Sequence, residues 1–211
     1  MFKKRTIIFV LVIITMILTT ITEVSAATKP LSGVKIMVDP GHGGWDPGAV
    51  GSNGLTEKQV NLQVSEALRN CLVEYGGANV KMTRVNDTYI SLKSRVSMAN
   101  SWNADRFISI HHNGSINSDH NGTAVYSSTR GNWKSHDLRN KVQNRLLAMT
   151  GLRDLGANTA NFYVLGNTRM PAILTEASFI TNPQEEAKLR SPGYLWREAF
   201  YIYQGITDHF N

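Results

Sequence analysis

The chain has 211 residues, 42% of them hydrophobic and 18% charged, an ordinary globular balance that is long enough for one sizeable core and short for two. Its formal net charge is +6. No basic stripe with interleaved aromatics accompanies that charge, so nucleic acid is excluded as the partner. Cys71 stands alone, which excludes an intramolecular disulfide.

Lys3-Lys4-Arg5 precede an apolar run from Thr6 to about Ile21, and Val24-Ser25-Ala26 then offers small residues where a signal peptidase reads. The run is about 16 residues long, shorter than the roughly 20 that a spanning helix needs. Residues 1–26 are therefore expected to be a cleaved signal peptide, with residues 27–211 as one secreted domain, extracellular or associated with the cell wall. Cleavage removes Lys3, Lys4, Arg5 and Glu23 and lowers the formal charge from +6 to +4. Such a charge suits retention on an anionic polymer, and equally an ordinary solvated surface.

Val34 to Val38 is a short β-rich run that ends in the turn signal Asp39-Pro40-Gly41. From Thr56, apolar residues recur at Val60, Val64, Ala67, Leu68, Cys71 and Leu72, the spacing of an amphipathic helix, with Gly76-Gly77 as its stop. Asn79 to Thr83 predicts a second strand, and Ser91 caps a helix carrying Val96, Met98 and Ala99. Arg106 to Ile110 and Thr123 to Tyr126 predict further strands, and Ser135 to Met149 a helix. Phe162 to Leu165 and Ala172 to Thr175 read as buried strands, followed by a helix from about Tyr194 to Phe210. The alternation predicts a single α/β domain, a mostly parallel twisted sheet flanked by helices on both faces.

Four residues stand out on this frame: His42, Glu57, His111 and Glu176. His42, His111 and Glu176 fall at the carboxyl ends of predicted strands, where ligands gather in open α/β sheets. Glu57 falls in the first turn of the first long helix, where the dipole favours a carboxylate. Two imidazoles and a carboxylate are a common ligand set for a catalytic zinc with an open position, and a remaining carboxylate suits a proton acceptor. Taken singly, a histidine such as His42 is more often a hydrogen-bonded surface residue than a ligand, and Glu57 reads as a helix-start residue stabilised by the dipole. His111 and His112 are neighbours on a strand and point to opposite faces, so only one of them reaches a given metal. His112, His120, His136 and His209 are expected to serve structure or surface.

Six blocks of sequence resemble a known family. They are Val38-Asp39-Pro40-Gly41-His42-Gly43-Gly44 with Asp46 and Gly48-Ala49, then Gly54-Leu55-Thr56-Glu57, then Thr83-Arg84 with Asp87. Leu92, Arg95 and Ala99-Asn100 follow, then Ala104-Asp105 leading into Phe107 to Asn113, and finally Pro171 to Glu176 with Phe179 to Asn182. In this order they resemble the amidase-3 type of zinc-dependent N-acetylmuramoyl-L-alanine amidases, over essentially the whole chain from Val34. The resemblance implies one Zn2+ ion held by His42, Glu57 and His111, with Glu176 catalytic, and peptidoglycan as substrate, cut between the lactyl group of N-acetylmuramic acid and L-alanine. The segments between the blocks are short and leave no room for wall-binding repeats, so a free-standing catalytic domain without a separate wall-binding module is expected, acting as a monomer. Asn113, Asn161 and Arg169 are candidate substrate contacts, or equally surface and strand-end residues. The chain departs from the family pattern at Ala177-Ser178 and around Arg153 to Gly156. A zinc peptidase of the stem, or a wall-binding module with a dead site, are the competing readings.

Overall fold

The computed structural model describes residues 28–211; the expected signal peptide lies outside them. Strand β1 (Lys35–Pro40) leads to helix α1 (Glu57–Glu74), β2 (Asn79–Met82), α2 (Leu92–Ser101), β3 (Arg106–Asn113) and β4 (Thr123–Ser128). Helix α3 (Trp133–Thr150), β5 (Asp154–Ala160), α4 (Tyr163–Asn167), β6 (Ala172–Phe179), α5 (Pro183–Leu189) and α6 (Pro192–Phe210) complete the chain. One sheet holds all six strands in the order β2-β1-β3-β6-β4-β5. Every neighbouring pair is parallel except β4 with β6. The parallel α/β architecture is the expected one, with a single reversal.

The central strands are short apolar runs, Ile36-Met37-Val38, Phe107-Ile108 and Ala172-Ile173-Leu174, all buried, as strands covered on both faces must be. Alternation divides their side chains. Ile36, Val38, Ile108, Ile110 and Ile173 join Val64 and Leu68 of α1, Val142 and Leu146 of α3, and Ile202 and Ile206 of α6 in the larger core. Met37, Phe107, Ala172 and Leu174 point the other way into a smaller cluster, with Val96 and Ala99 of α2, Val164 and Leu165 of α4, and Ala104, Trp102, Tyr126 and Met170. Helices cover both faces, but unequally.

Three elements differ from the sequence expectation. Phe162 to Leu165 is not a strand: Tyr163–Asn167 is one short helix that buries Val164 and Leu165. An apolar run of four residues carries no periodicity that separates the two. The edge strand β5, Asp-Leu-Gly-Ala-Asn-Thr-Ala, has no apolar alternation, because an edge strand needs little burial on either side. Helix α5 has a start signal in plain view, with Asn182 accepting from the backbone N–H groups of Gln184 and Glu185 and Pro183 in the first turn.

Candidate active site

The first turn of the site follows β1. His42 has a left-handed backbone, φ 59°, a strained conformation for a residue with a Cβ. The carbonyls of this turn have no strand partner and are taken up by two buried guanidinium groups. Arg84 donates through Nε to Pro40 O at 3.0 Å and through Nη2 to Gly41 O at 2.8 Å. Arg95 donates to Pro40 O at 2.6 Å and to His42 O at 2.7 Å. It also pairs with buried Asp39 at 2.7 Å, which in turn accepts from the Thr83 and Ser109 hydroxyls. The strained turn is thus fixed from beneath by charge-assisted hydrogen bonds.

Around this frame three of the four singled-out residues converge. The candidate ligand atoms of His42, Glu57 and His111 lie within 4.8 Å of one another. His42 Nε2 is 3.1 Å from Glu57 Oε2, and His111 Nδ1 is 2.9 Å from Glu57 Oε1. Two glycines make room. A Cβ on Gly41 would sit 2.2 Å from the His111 ring, and one on Gly48 would sit 2.5 Å from Glu57 Oε2. Asp46 holds the far nitrogen of His42, Nδ1, at 2.8 Å, the arrangement that orients a metal-ligating imidazole.

Glu176 joins the group differently. His111 and Glu176 are register partners on adjacent strands β3 and β6, so both side chains stand on the thinly covered face. Both lie within strands rather than at their carboxyl ends, because β3 and β6 run on to Asn113 and Phe179. The site consequently opens on the face of the sheet. His42, His111 and Glu176 line a cavity of about 370 Å³ whose walls are Tyr89, Ile90 and Leu92 on one side and Phe162, Tyr163 and Val164 on the other. Glu57 stands behind the histidines, nearly buried.

The two carboxylates sit in contrasting surroundings. Burial would raise the pKa of Glu57, but hydrogen bonds and charge from His111 and His42 outweigh it and hold the group ionised. Glu176 Oε2 is shielded and has no hydrogen-bond partner among the described residues. Burial, and then the negative charge of Glu57, push its pKa well above the usual carboxylate range. One carboxylate is a fixed anion and the other readily holds a proton, a separation of roles typical of acid–base sites.

His112 lies on the opposite face, as strand alternation requires, yet it is tied to the site. Its ring faces Asn61 Oδ1 at 2.9 Å and Glu198 Oε2 at 3.2 Å, all buried. Asn61 donates to Glu57 Oε1 at 3.1 Å, and the His112 backbone N–H adds another bond at 3.2 Å. Sequence reading missed Asn61 and Glu198, although both fall on the buried stripes of α1 and α6, where a polar residue signals a buried partner. Of the candidate substrate contacts, Asn161 lines a second cavity next to Phe162 and Tyr163. Arg169 lines neither cavity, and its backbone N–H is bound by Asn100 near the amino end of β6. Asn113 ends β3 and accepts the N–H of Gly114 through its side chain. His120 pairs with Ser115, His136 with the Gly131 carbonyl and His209 with Asp137, as structural roles demand.

The donor set fits a metal ion. Two imidazole nitrogens and a carboxylate face one another across hydrogen-bond distances, with a shielded, unpaired Glu176 oxygen in the same cavity.

Comparison with known proteins agrees with this geometry. The N-acetylmuramoyl-L-alanine amidase family, Amidase_3, matches residues 36–208. The chain is 40% identical to the N-acetylmuramoyl-L-alanine amidase LytC of Bacillus subtilis (strain 168) over 90% of its own length, and spans 38% of that longer protein. It is 41% identical to the amidase CwlM of Bacillus licheniformis, over 84% of this chain and 69% of the relative. Among solved structures, the catalytic domain of CwlV from Bacillus (Paenibacillus) polymyxa var. colistinus superposes with a TM-score of 0.78 at 36% identity, covering 83% of this chain and 97% of that one. The chain belongs to the amidase-3 family of N-acetylmuramoyl-L-alanine amidases, hydrolases that act on peptidoglycan.

Proposed function

We propose that this chain is a zinc-dependent amidase that hydrolyses the bond between the lactyl group of N-acetylmuramic acid and L-alanine, with His42, Glu57 and His111 as the ligands and Glu176 as the proton shuttle. The observation that carries this reading is the convergence of that donor triad on a cavity whose remaining carboxylate is unpaired and shielded. Two nitrogens and one oxygen suit zinc among the divalent ions. When bound, zinc polarises a carbonyl and makes water acidic enough to attack at neutral pH.

The protein's own groups do the rest. Asp46 and Asn61 hold His42 and Glu57 in orientation. Glu176 takes a proton from the attacking water and returns it to the leaving amine, so one residue serves as base and then as acid. Its raised affinity for a proton favours the first half of that cycle, the uptake of the water's proton. Leu174 and Val164 make part of the cavity wall apolar.

Residues 1–26 are proposed to direct export, leaving residues 27–211 as one catalytic domain acting as a monomer at the cell wall. Among the described residues, no helix is long and apolar enough to cross a membrane.

The test is digestion of cell-wall sacculi by the purified protein, followed by mass analysis of the products. Release of intact stems with a free L-alanine amine, and loss of that release on zinc chelation with return on zinc addition, is the expected result. New amino ends inside the stem, or full activity after Glu176→Ala, would sink the reading.

A further inference from the structure

We infer that the cleft reads its substrate in one direction, with the glycan strand on a platform made by Trp45 and Tyr89 and a stem carboxylate at Arg130. This rests on the amidase function proposed above and adds an orientation to it. The strand order lays out the line. The turn after β1 brings Trp45 and His42, β3 brings His111, β6 brings Glu176, and the segments after β4 and β5 bring Arg130 and Phe162-Tyr163.

At one end, the Trp45 ring is 76% exposed and lies against Tyr89, with centroids 4.4 Å apart. Tyr89 lines the catalytic cavity. This turn is held rigidly: Asp87 Oδ1 accepts the Gly44 N–H at 2.8 Å, and Lys58 Nζ donates to Gly44 O and to Asp87 Oδ2, both at 2.7 Å. A large aromatic surface held rigid in water beside a reaction cavity marks a ligand contact. A pyranose ring presents just such a partner, an apolar face of C–H groups for the negative face of an aromatic ring, with hydroxyls at its edge as donors. The acceptors beside the platform are the carboxylates of Asp46 and Asp87, one bound to His42 and the other to Lys58. They suit sugar hydroxyls and disfavour the carboxylates of a stem peptide.

At the other end the sign reverses. Beyond Phe162 and Tyr163 a second cavity of about 470 Å³ is lined by Arg130 and Asn161, with no carboxylate among its lining residues. Among the described residues the Arg130 guanidinium makes one long 3.5 Å contact, to Gly166 O, so most of its planar fork is available for a carboxylate. The Asn161 amide oxygen accepts from the Thr129 hydroxyl, which leaves its amide hydrogens as donors. This orientation agrees with the bond chemistry. The lactyl carbonyl belongs to the glycan and would face the His42 side, whereas the leaving amine belongs to the stem and would emerge past Glu176 towards Phe162.

The experiment measures kcat/KM for the zinc-loaded protein on three substrates: a glycan oligomer bearing stems, a single-sugar muramyl peptide, and the same oligomer with its stem carboxylates amidated. Trp45→Ala is expected to lose about tenfold on both oligomers and to stay within about twofold of the parent on the single sugar. Arg130→Gln is expected to lose about tenfold on both substrates with free stem carboxylates and to stay within about twofold on the amidated one. Equal losses on all substrates, no loss, or the opposite pairing would overturn the orientation. Glu176→Gln is run in parallel. Its retention of activity would overturn the amidase mechanism instead, so the two failures are distinguishable.

Discussion

The two faces of the sheet are built to different ends. On one, three long helices press a deep aliphatic layer onto Ile36, Val38, Ile108 and Ile173; on the other, the short helices α2 and α4 leave the upper half of the strands open. Residues three apart on β6 illustrate the contrast. Ile173 is buried in the large core, whereas Glu176 stands in the cavity with an unpaired oxygen. The thick face supplies rigidity that the thin face uses: side chains that are costly to bury are tolerated where the strands beneath them cannot shift.

The sharpest way to break that comparison is to mutate the two residues of β6. Glu176→Gln should reduce turnover on sacculi by about 10³-fold, while the melting temperature holds or rises because a shielded, unpaired carboxyl is replaced by a neutral amide. A fall in both would show that the thin face also carries stability. Ile173→Ala should do the reverse, with a loss of about 3 kcal/mol in denaturant unfolding and an unchanged kcat per folded molecule.

A smaller effect tests the loop that leads into Glu57. Glu186 accepts the N–H groups of Asn53 and Leu55 and the Ser52 hydroxyl and pairs with Arg190. Burial would raise its pKa, but those hydrogen bonds hold it at about 2. A depressed carboxylate stabilises the fold above its unfolded value of about 4.5, and that contribution fades as the pH falls from about 4.5 to 2. Glu186→Gln should cost roughly 2 kcal/mol at pH 7 and almost nothing at pH 2, read from unfolding curves at both pH values. Smaller still, Asn61→Leu should weaken zinc binding roughly tenfold in a chelator competition, and cost about 1 kcal/mol in unfolding because the buried His112 ring loses its partner. Unaltered zinc affinity would mean that Glu57 needs no support from the buried chain of Asn61, His112 and Glu198.

Much of this was legible before any coordinates. The apolar runs of β1, β3 and β6 and the stripe of α1 placed the core, because burial on both faces leaves a continuous signature. His42, Glu57 and His111 were legible because each sits in a distinctive local setting, and the sequence order of those settings matches the family. The short helix α4 was misread as a strand, since four apolar residues carry no period. Glu198 is a polar residue on the buried stripe of α6, but its partner, His112, is 86 residues away, and no local pattern encodes which residue it meets. The opening of the site on a face, rather than at the strand ends, follows from strand lengths that β propensity alone does not set.

The position of β6 has a consequence for how the molecule comes into being. It is the last strand in sequence yet pairs with both β3 and β4 at the middle of the sheet. Before it is in place, a growing chain holds β2-β1-β3 and β4-β5 as two unjoined pieces. Such long-range closure is a late step in folding. His42, Glu57 and His111 all belong to the first piece, whereas Glu176 is carried by the strand that joins the two. A chain cut short before Ala172 would own every proposed ligand and lack the proton acceptor, so hydrolytic competence arrives together with closure of the sheet.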